Sequence, residues 1–238
     1  MALRDPRPIG PIVAGDSARR PSRDTRLVGR YITIIGLSAA HADAFYPHIS
    51  GDENAYLWDY MSDEPFTDLG VFRATVESKS KSQDPIFYAI IPNDKPAIPN
   101  RDDNVIGWAS HMRIDINNRS IELGNMMYSP TLQRTPAATE VMYLMAKHAF
   151  EDLGYRRYEW KCNALNAPSR RAALRLGFTF EGVFRKHLIV KGRNRDTAWY
   201  SITDDEWPSV KEALECWLAP SNFNDQGHQR KRLEGFRK

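Results

Sequence analysis

The stretch that decides the fold is LQRTPAATEVMYLM, residues 132–145, which crosses from a polar turn into an apolar helical run. Thr135 is a residue type favoured at a helix N-cap, and Pro136 then falls at the first helical position, where its missing N–H group costs nothing. The N–H groups that follow lack helical partners and lie at the positive end of the helix dipole. This arrangement predicts a site for a phosphate or pyrophosphate. The expected donors are the N–H groups of Ala137, Ala138 and Thr139 and the side chains of Gln133 and Arg134.

The same residues also fit a helix start that is capped only for stability, because capped helix starts are common. An apolar stripe at helical spacing predicts the helix itself, which Gly154 should end as a C-cap. The stripe consists of Val141, Leu144, Met145, Ala149 and Leu153.

Outward from this helix, short β-branched runs predict strands and apolar residues at helical spacing predict helices. The predicted strands are one in RLVGRYITIIGL that ends near Gly36, then 85–91, 105–116, 119–128 and 156–163, and a final hairpin over 178–202. The predicted helices, besides the one that starts at Pro136, are a helix capped by Ser38 and stopped at Pro47, then 68–80, 166–177 and 204–218. A loop with three prolines is expected from Pro92 to Asp103. This order predicts an α/β fold, a mixed sheet with helices in one domain.

The strand 119–128 has two faces of different character. Ile121, Leu123 and Met127 should share one face, because side chains alternate along a strand. Glu122, Gly124, Met126 and Tyr128 should share the other face unless a bulge intervenes. The turn NN at 117–118 joins this strand to the preceding one, since asparagine tolerates positive φ.

The net charge of +3 is concentrated at the two ends of the chain. Residues 1–30 hold seven arginines against three aspartates, and residues 219–238 hold five Lys/Arg against two acids, which leaves about −4 for the body. A slightly acidic body argues against a nucleic-acid groove, although basic ends could touch polyanions weakly. We therefore predict an extended or disordered arm over 1–26, one domain over 27–218 and a basic, solvated tail over 219–238.

Several functional classes are excluded by composition. No apolar run approaches the roughly 18 residues of a membrane-spanning helix, and the N-terminus has charges and prolines where a signal peptide needs an apolar core. Cys162 and Cys216 are the only cysteines and have no metal or redox spacing, so we expect no metal site and a reducing, cytoplasmic setting. The chain could be a monomer or a homodimer.

Two motifs together resemble the GCN5-related N-acetyltransferase (GNAT) superfamily, and more narrowly its branch with the ribosomal-protein-alanine acetyltransferases. YSPTLQRTPAATEV follows a strand, and NAPSRRAALRLGFTFEG comes some thirty residues later. The resemblance covers about residues 27–207. It implies a mixed central sheet of about seven strands, flanked by helices and splayed between the fourth and fifth strands, where acetyl-CoA binds.

The resemblance also implies roles for individual residues on the acetyl-CoA side. The pyrophosphate loop of the family reads Q/R-x-x-G-x-G/A, and Gln133, Pro136 and Ala138 occupy its three defined positions. Proline at the central glycine position is a departure that removes one backbone donor. The segment Met126, Met127 and Tyr128 lies where the family polarises the thioester carbonyl with a backbone N–H group.

The second motif fits the family element N-x-x-S…GF. It places Asn166 against the pantetheine arm and Ser169 near the thioester sulfur. A tyrosine that often acts as general acid in the superfamily is Ala173 here, so Ser169 is the expected substitute. Arg170 could reach a CoA phosphate or could simply be exposed.

Transfer of an acetyl group to an amine needs a neutral amine, a polarised carbonyl and a stabilised thiolate. Glu122 is the first candidate for the general base, because a carboxylate in the middle of an apolar strand must face solvent, a cleft or a partner. An ion pair or plain exposure explains Glu122 equally well. His111 is the competing base, since histidine titrates near neutrality, but a lone histidine can also be a packing residue.

The sequence therefore predicts an N-acetyltransferase that moves the acetyl group of acetyl-CoA directly to a primary amine, on a small molecule or a peptide N-terminus. Tyr128, Trp108 and Trp160 are aromatic candidates for the acceptor pocket, although such residues on strands are also common in cores. The alternative is a non-catalytic acyl-CoA-binding or regulatory module of the same fold, and the departures at Pro136 and Ala173 motivate it.

Overall fold

The computed structural model of the chain describes residue 7 and residues 9–93 and 104–237. Its centre is a sheet of eight strands in the order β1-β2-β3-β4-β5-β6-β8-β7. Every neighbouring pair is antiparallel except β5 and β6, which are parallel. The predicted mixed α/β fold is confirmed.

The strands are β1 Arg26–Val28, β2 Ile32–Gly36, β3 Ile86–Pro92, β4 Gly107–Asp115, β5 Ser120–Tyr128, β6 Arg157–Asn163, β7 Thr179–Val190 and β8 Arg193–Thr203. The α-helices are α1 His41–Phe45, α2 Leu69–Lys81, α3 Pro136–Lys147, α4 Ala167–Leu176 and α5 Trp207–Leu218. Short 3-10 turns lie at Tyr46–His48, Asp52–Trp58, Pro220–Asn222 and Leu233–Phe236, and α3 ends in a π-helical turn, His148–Asp152. Most of the predicted Pro92 to Asp103 loop, residues 94–103, lies outside the described residues.

The first predicted strand is in fact two strands, which accounts for the eighth strand of the sheet. The side chain of Glu140 on α3 accepts hydrogen bonds from the backbone N–H groups of Arg30, Tyr31 and Ile32 at 2.7 to 3.0 Å. These three bonds hold the chain in a turn between β1 and β2. The sequence could not reveal this turn, because its partner lies about 110 residues away.

The helix predicted to be capped by Ser38 begins later, at His41. Residues 38–40 form a turn instead, in which the Ser38 N–H donates to His41 Nδ1 at 3.1 Å. In contrast, Asp68 caps α2 as an acceptor from Val71 N–H at 2.8 Å.

Two hydrophobic clusters cover the two faces of the sheet. The first lies between the sheet and α3, α4 and α5, and includes Leu123, Val141 and Trp160. The second lies under α1 and α2 and is rich in stacked aromatic rings, with Trp108 at its centre. We call these the first and the second face of the sheet.

A bulge at Asn125 reverses the alternation along β5. Asn125 has a φ of +49°, and the pairing of β4 with β5 shifts between Trp108 and Ser110. Before the bulge, Ile121 and Leu123 are buried on the first face; after it, Met126 and Tyr128 pack against that face and Met127 joins the second. The prediction without a bulge, which grouped Met127 with Ile121 and Leu123, is therefore wrong.

The parallel strands β5 and β6 separate over their second halves. Backbone pairing runs from Ser120 opposite Arg157 to Leu123 opposite Trp160 and ends there. The remaining residues, 124–128 of β5 and 161–163 of β6, lie on the two sides of a gap. This is the predicted splay, which falls between the fourth and fifth strands of the sequence-based numbering.

Both ends of the domain contact its body. In the N-terminal segment Ala18 is buried, and its N–H donates to the Ile116 carbonyl at 2.9 Å. After α5, Leu233 is buried in the first cluster and the Arg237 guanidinium donates to the Leu174 carbonyl at 2.8 Å. The proposed domain boundaries at 26/27 and 218/219 stay a prediction.

Candidate functional site

Two helices begin at the gap between β5 and β6. Helix α3 follows β5 and helix α4 follows β6, and these strands are parallel, so both helix N-termini lie at the same edge of the sheet. A helix N-terminus offers unpaired N–H groups and a positive dipole end. The edge of the gap is therefore suited to an anionic ligand whose narrow part enters between the strands.

The N-terminus of α3 is built as the sequence predicts, with Thr135 as N-cap and Pro136 at the first position. The Thr135 hydroxyl accepts from Ala138 N–H at 3.2 Å and donates to the Leu132 carbonyl at 2.6 Å. The N–H group of Ala138 is thus already paired, whereas we expected it to be free. The N–H group of Ala137 lies one position earlier, in the first turn, where N–H groups have no hydrogen-bond partner within the helix.

The two polar residues before the cap take different positions. The Gln133 amide donates to the Tyr128 carbonyl at 3.0 Å and ties the loop to the end of β5. Arg134 is exposed and has a φ of +62°, a backbone conformation that is costly for a residue other than glycine. Of Gln133 and Arg134, Arg134 is the one with a positive charge, and its exposed side chain can contact a bound anion.

Thr139 is buried against α4. Its hydroxyl accepts from an Arg175 guanidinium N–H at 3.1 Å, and that guanidinium packs over the Trp217 ring. The side chain of Thr139 therefore serves the packing of α3, α4 and α5. Glu140, the next residue, serves the β1–β2 turn.

The N-terminus of α4 is capped by Asn166, whose side-chain carbonyl accepts from Ser169 N–H at 3.0 Å. The Ser169 hydroxyl oxygen accepts from the Trp160 indole N–H at 3.0 Å, so its own hydrogen stays available for donation. Burial raises the pKa of the nearby Cys162 thiol, and a hydrogen bond with Ser169 acts in the opposite direction. The Arg170 guanidinium reaches the Tyr200 hydroxyl and the Ala164 carbonyl, both at 3.3 Å.

Glu122 lies on the second face, next to the end of β5–β6 pairing, and is 4% exposed. Its Oε2 atom accepts a hydrogen bond from Lys161 Nζ at 3.0 Å and forms an ion pair with Arg113 Nε, also at 3.0 Å. Burial raises the pKa of this carboxyl above its usual value, while the two cations work against that effect. Burial is the largest influence because the carboxylate has lost most of its water.

The residues around Glu122 form a network that sequence reasoning missed. Lys161 Nζ also donates to Glu159 at 2.5 Å and lies 3.9 Å from the centre of the Trp199 ring. Glu159 in turn pairs with Arg157, and these contacts hold the pKa of the Glu159 carboxyl below its usual value although burial acts the other way. The sequence contains one sign of this network, because Arg157, Glu159 and Lys161 alternate along one strand and should share a face.

His111 faces away from Glu122. It is buried in the first face, 3.3 Å from the Tyr158 hydroxyl and stacked near His148. Burial, with His148 adding to the effect, lowers the pKa of His111 to about 3. The structure therefore places this candidate base in the core and does not bring it to the gap.

Two of the aromatic candidates for the acceptor pocket, Trp108 and Trp160, are core residues, and the third, Tyr128, is partly buried against the core. Trp108 is 1% exposed and Trp160 5%. Ala173, at the family's tyrosine position, is completely buried. Burial raises the pKa of the Tyr128 hydroxyl well above its usual value.

The second face of the sheet is bordered by the segment 58–64 and by residues of β7 and β8. The segment 58–64 reaches the β7–β8 turn, where Lys191 Nζ donates to the Trp58 carbonyl at 2.8 Å and pairs with Glu64 at 3.1 Å. The ring centres of Phe184 and His187 lie 4.5 and 6.0 Å from the ring centre of Trp199. An open cavity of about 630 Å³ is lined by Phe184, Arg185, Lys186 and His187.

Within 9–93 and 104–237, no three His, Cys, Asp or Glu residues are grouped as metal ligands would be. No helix in the same part of the chain is long and apolar enough to cross a membrane.

Comparison with known proteins gives consistent matches. The family described as "Acetyltransferase (GNAT) domain" matches residues 32–179. A crystal structure of a GCN5-related N-acetyltransferase from Brucella melitensis is 41% identical, with a TM-score of 0.87 over 93% of this chain and 97% of that one. Two curated Bacillus subtilis proteins match more locally. "Putative ribosomal N-acetyltransferase YdaF" is 29% identical over 46% of this chain, and "Uncharacterized N-acetyltransferase YnaD" is 27% identical over 47%. The match spans 60% and 65% of the lengths of these two curated relatives.

Proposed function

The chain belongs to the GNAT acetyltransferase family, and on this basis we propose that it transfers the acetyl group of acetyl-CoA directly to a primary amine. The acceptor is a small molecule or a peptide N-terminus, and both substrates are bound at once. The observation that carries the proposal is the gap between β5 and β6, which has two helix N-termini at its edge and a buried carboxylate on its second face.

Acetyl-CoA fits this gap by chemistry. Its pyrophosphate suits the N-terminus of α3, where Ala137 N–H and the exposed Arg134 are the donors, and Arg170 on α4 is a second cation. Asn166 at the start of α4 lies beside the path of the pantetheine arm. We propose that one backbone N–H group, of Met126 or Met127 beyond the last β5–β6 pair, polarises the thioester carbonyl.

The chemical steps follow from the two sides of the gap. Glu122 takes a proton from the ammonium group of the acceptor, directly or through a water, and the neutral amine attacks the acetyl carbonyl. As the C–S bond breaks, CoA leaves as a thiolate, and the proton that the nitrogen must still lose to become an amide passes to this thiolate. We propose that the Ser169 hydroxyl, whose oxygen is held by the Trp160 N–H group, turns its hydrogen from Cys162 to that thiolate.

A non-catalytic acyl-CoA-binding module is the competing function. Pro136 removes one donor from the pyrophosphate loop, and the buried Ala173 leaves the family's tyrosine position without an acid. These departures favour a chain that binds acyl-CoA but does not transfer the acyl group.

One experiment separates the two functions. The purified protein is incubated with acetyl-CoA and a panel of amines, including peptides with free N-termini, while free thiol is measured. We expect thiol release that depends on the amine, together with an acetylated product seen by mass spectrometry. Saturable binding of acetyl-CoA without thiol release from any amine would support the module instead.

A further inference from the structure

Glu122 and Glu159 are neighbours across the parallel strand pair β5 and β6. They are directly in register, so two carboxylates lie side by side on the second face. Like charges in such a position repel each other, and little water is present to screen them, since the Glu122 and Glu159 side chains are 6% and 13% exposed. A cation between them is required for both to stay ionised.

Lys161 supplies that cation. Its side chain is 4% exposed, and its ammonium group lies 3.0 Å from Glu122 and 2.5 Å from Glu159. The face of the Trp199 ring, 3.9 Å away, closes another side of the ammonium group. Lys161 is also the first residue of β6 after pairing with β5 ends, so it sits at the base of the gap.

A second cation reaches Glu122 from β4. Arg113 has a φ of +50°, and this strained backbone is held by Asp84, whose carboxylate accepts from the N–H groups of Arg113 and Ile114 at 2.9 and 3.1 Å. The Arg113 side chain is half exposed, so its charge is screened more than that of Lys161. Both cations contact the same oxygen of Glu122, Oε2.

We infer that Lys161 is a positioning residue for catalysis: it keeps Glu122 ionised and fixes its carboxylate at the base of the gap, so that the other oxygen can receive the proton of the acceptor amine. This inference rests on the proposed function for the identity of Glu122 as base. The charge relationship between Lys161 and Glu122 does not depend on it.

The charged and titratable groups around Glu122 and its cations come from four strands. Removal of Lys161 should favour the protonated form of Glu122, and removal of Glu159 should favour the ionised form. A purely structural role of the network would not move the acid limb of kcat in opposite directions in the two variants. The groups are Arg113 on β4, Lys161 and Glu159 on β6, Arg195 on β8 and, near these cations, His187 on β7.

The test measures the titration of Glu122 by NMR on the full chain with ¹³C-labelled glutamate carboxyls. The Glu122 signal is assigned by its loss in Glu122→Gln. In Lys161→Met the midpoint should rise by about 1 to 3 pH units, the size of effect expected from one opposite charge within 4 to 6 Å. In Glu159→Gln it should fall.

Lys79→Met is the matched control. Lys79 is also a largely buried lysine, paired with Asp63 at 2.9 Å and packed over the Phe87 and Trp108 rings, but it belongs to α2. This variant should leave the Glu122 midpoint in place. If Lys161→Met does not fold, Glu159→Gln and Arg113→Met still test the signs, with a smaller rise expected for Arg113→Met.

The pH dependence of turnover then links the network to catalysis. The acid limb of kcat should move up in Lys161→Met and down in Glu159→Gln, while Lys79→Met matches the wild type. Shifts of the Glu122 midpoint in the same direction in both variants, or none, would overturn the inference even if the wild type acetylates amines. Failure of the wild type to acetylate any amine would refute the proposed function. The NMR titration would still show whether Lys161 keeps Glu122 ionised.

Discussion

Glu140 joins helix α3 to the turn between β1 and β2, and Glu140→Gln should destabilise the fold by about 3 kcal/mol. The carboxylate is 5% exposed and accepts three backbone N–H bonds, at 2.8 Å from Arg30, 2.7 Å from Tyr31 and 3.0 Å from Ile32. Glutamine keeps one oxygen for Tyr31 and Ile32 and points an NH₂ group at the N–H of Arg30. A buried donor left unpaired costs about 1 to 3 kcal/mol, and the two bonds that remain lose roughly 1 kcal/mol each when the acceptor becomes neutral. Removal of a buried charge offsets part of this sum.

Urea denaturation followed by circular dichroism measures the effect, with the m-value compared to confirm that the transition is unchanged. Glu77→Gln on α2 is the control, because Glu77 is exposed and pairs only with the exposed Lys81 across one helical turn. Such a surface pair contributes about 0.3 to 0.5 kcal/mol. A loss of less than about 1 kcal/mol in Glu140→Gln would refute the claim that this carboxylate holds the β1–β2 turn against α3.

Three further predictions concern other parts of the site. Thr135→Ala should cost about 1 kcal/mol of stability, because it removes the acceptor of Ala138 N–H; an unchanged urea midpoint would count against the cap. Arg134→Ala should weaken binding of acetyl-CoA more than of acetyl-pantetheine in calorimetric titrations, since the proposed contact is with phosphate, and equal losses would remove that contact. The free energy of unfolding should fall as the pH drops from about 6.5 towards 4, because His111 has a pKa of about 3 when folded and gains a proton only on unfolding. His111→Gln should flatten this part of the profile, and an identical profile would show that other groups cause it.

The sequence was sufficient where structure depends on local chemistry. Thr135 and Pro136 mark a helix start by their own capping and φ preferences, so α3 begins at the predicted residue. Asp68 and Asn166 open the predicted helices 68–80 and 166–177, and each caps the observed helix, which begins one residue later. The gap between β5 and β6 followed from the resemblance to the family, which located both flanking motifs.

What the sequence could not supply depends on contacts between distant segments. The β1–β2 turn is held by Glu140, and the charge on Glu122 is balanced by Lys161, which is 39 residues away. The bulge at Asn125 was considered only as a possibility, because asparagine in a strand does not by itself specify positive φ. His111 illustrates the reverse error: its titration range suggested a catalytic base, but its strand position places it in the core.

The central claim, that Glu122 is the base for acetyl transfer in this gap, is tested most directly by comparing Glu122→Gln with the wild type on an accepted amine. At saturating acetyl-CoA and neutral pH, kcat should fall by about 10² to 10⁴-fold, the usual contribution of a general base. The Kd for acetyl-CoA should change less than about threefold, because the proposed cofactor contacts lie at the edge of the gap and not at Glu122. An unchanged kcat, or a loss of acetyl-CoA binding that accounts for the whole fall in activity, would contradict the claim.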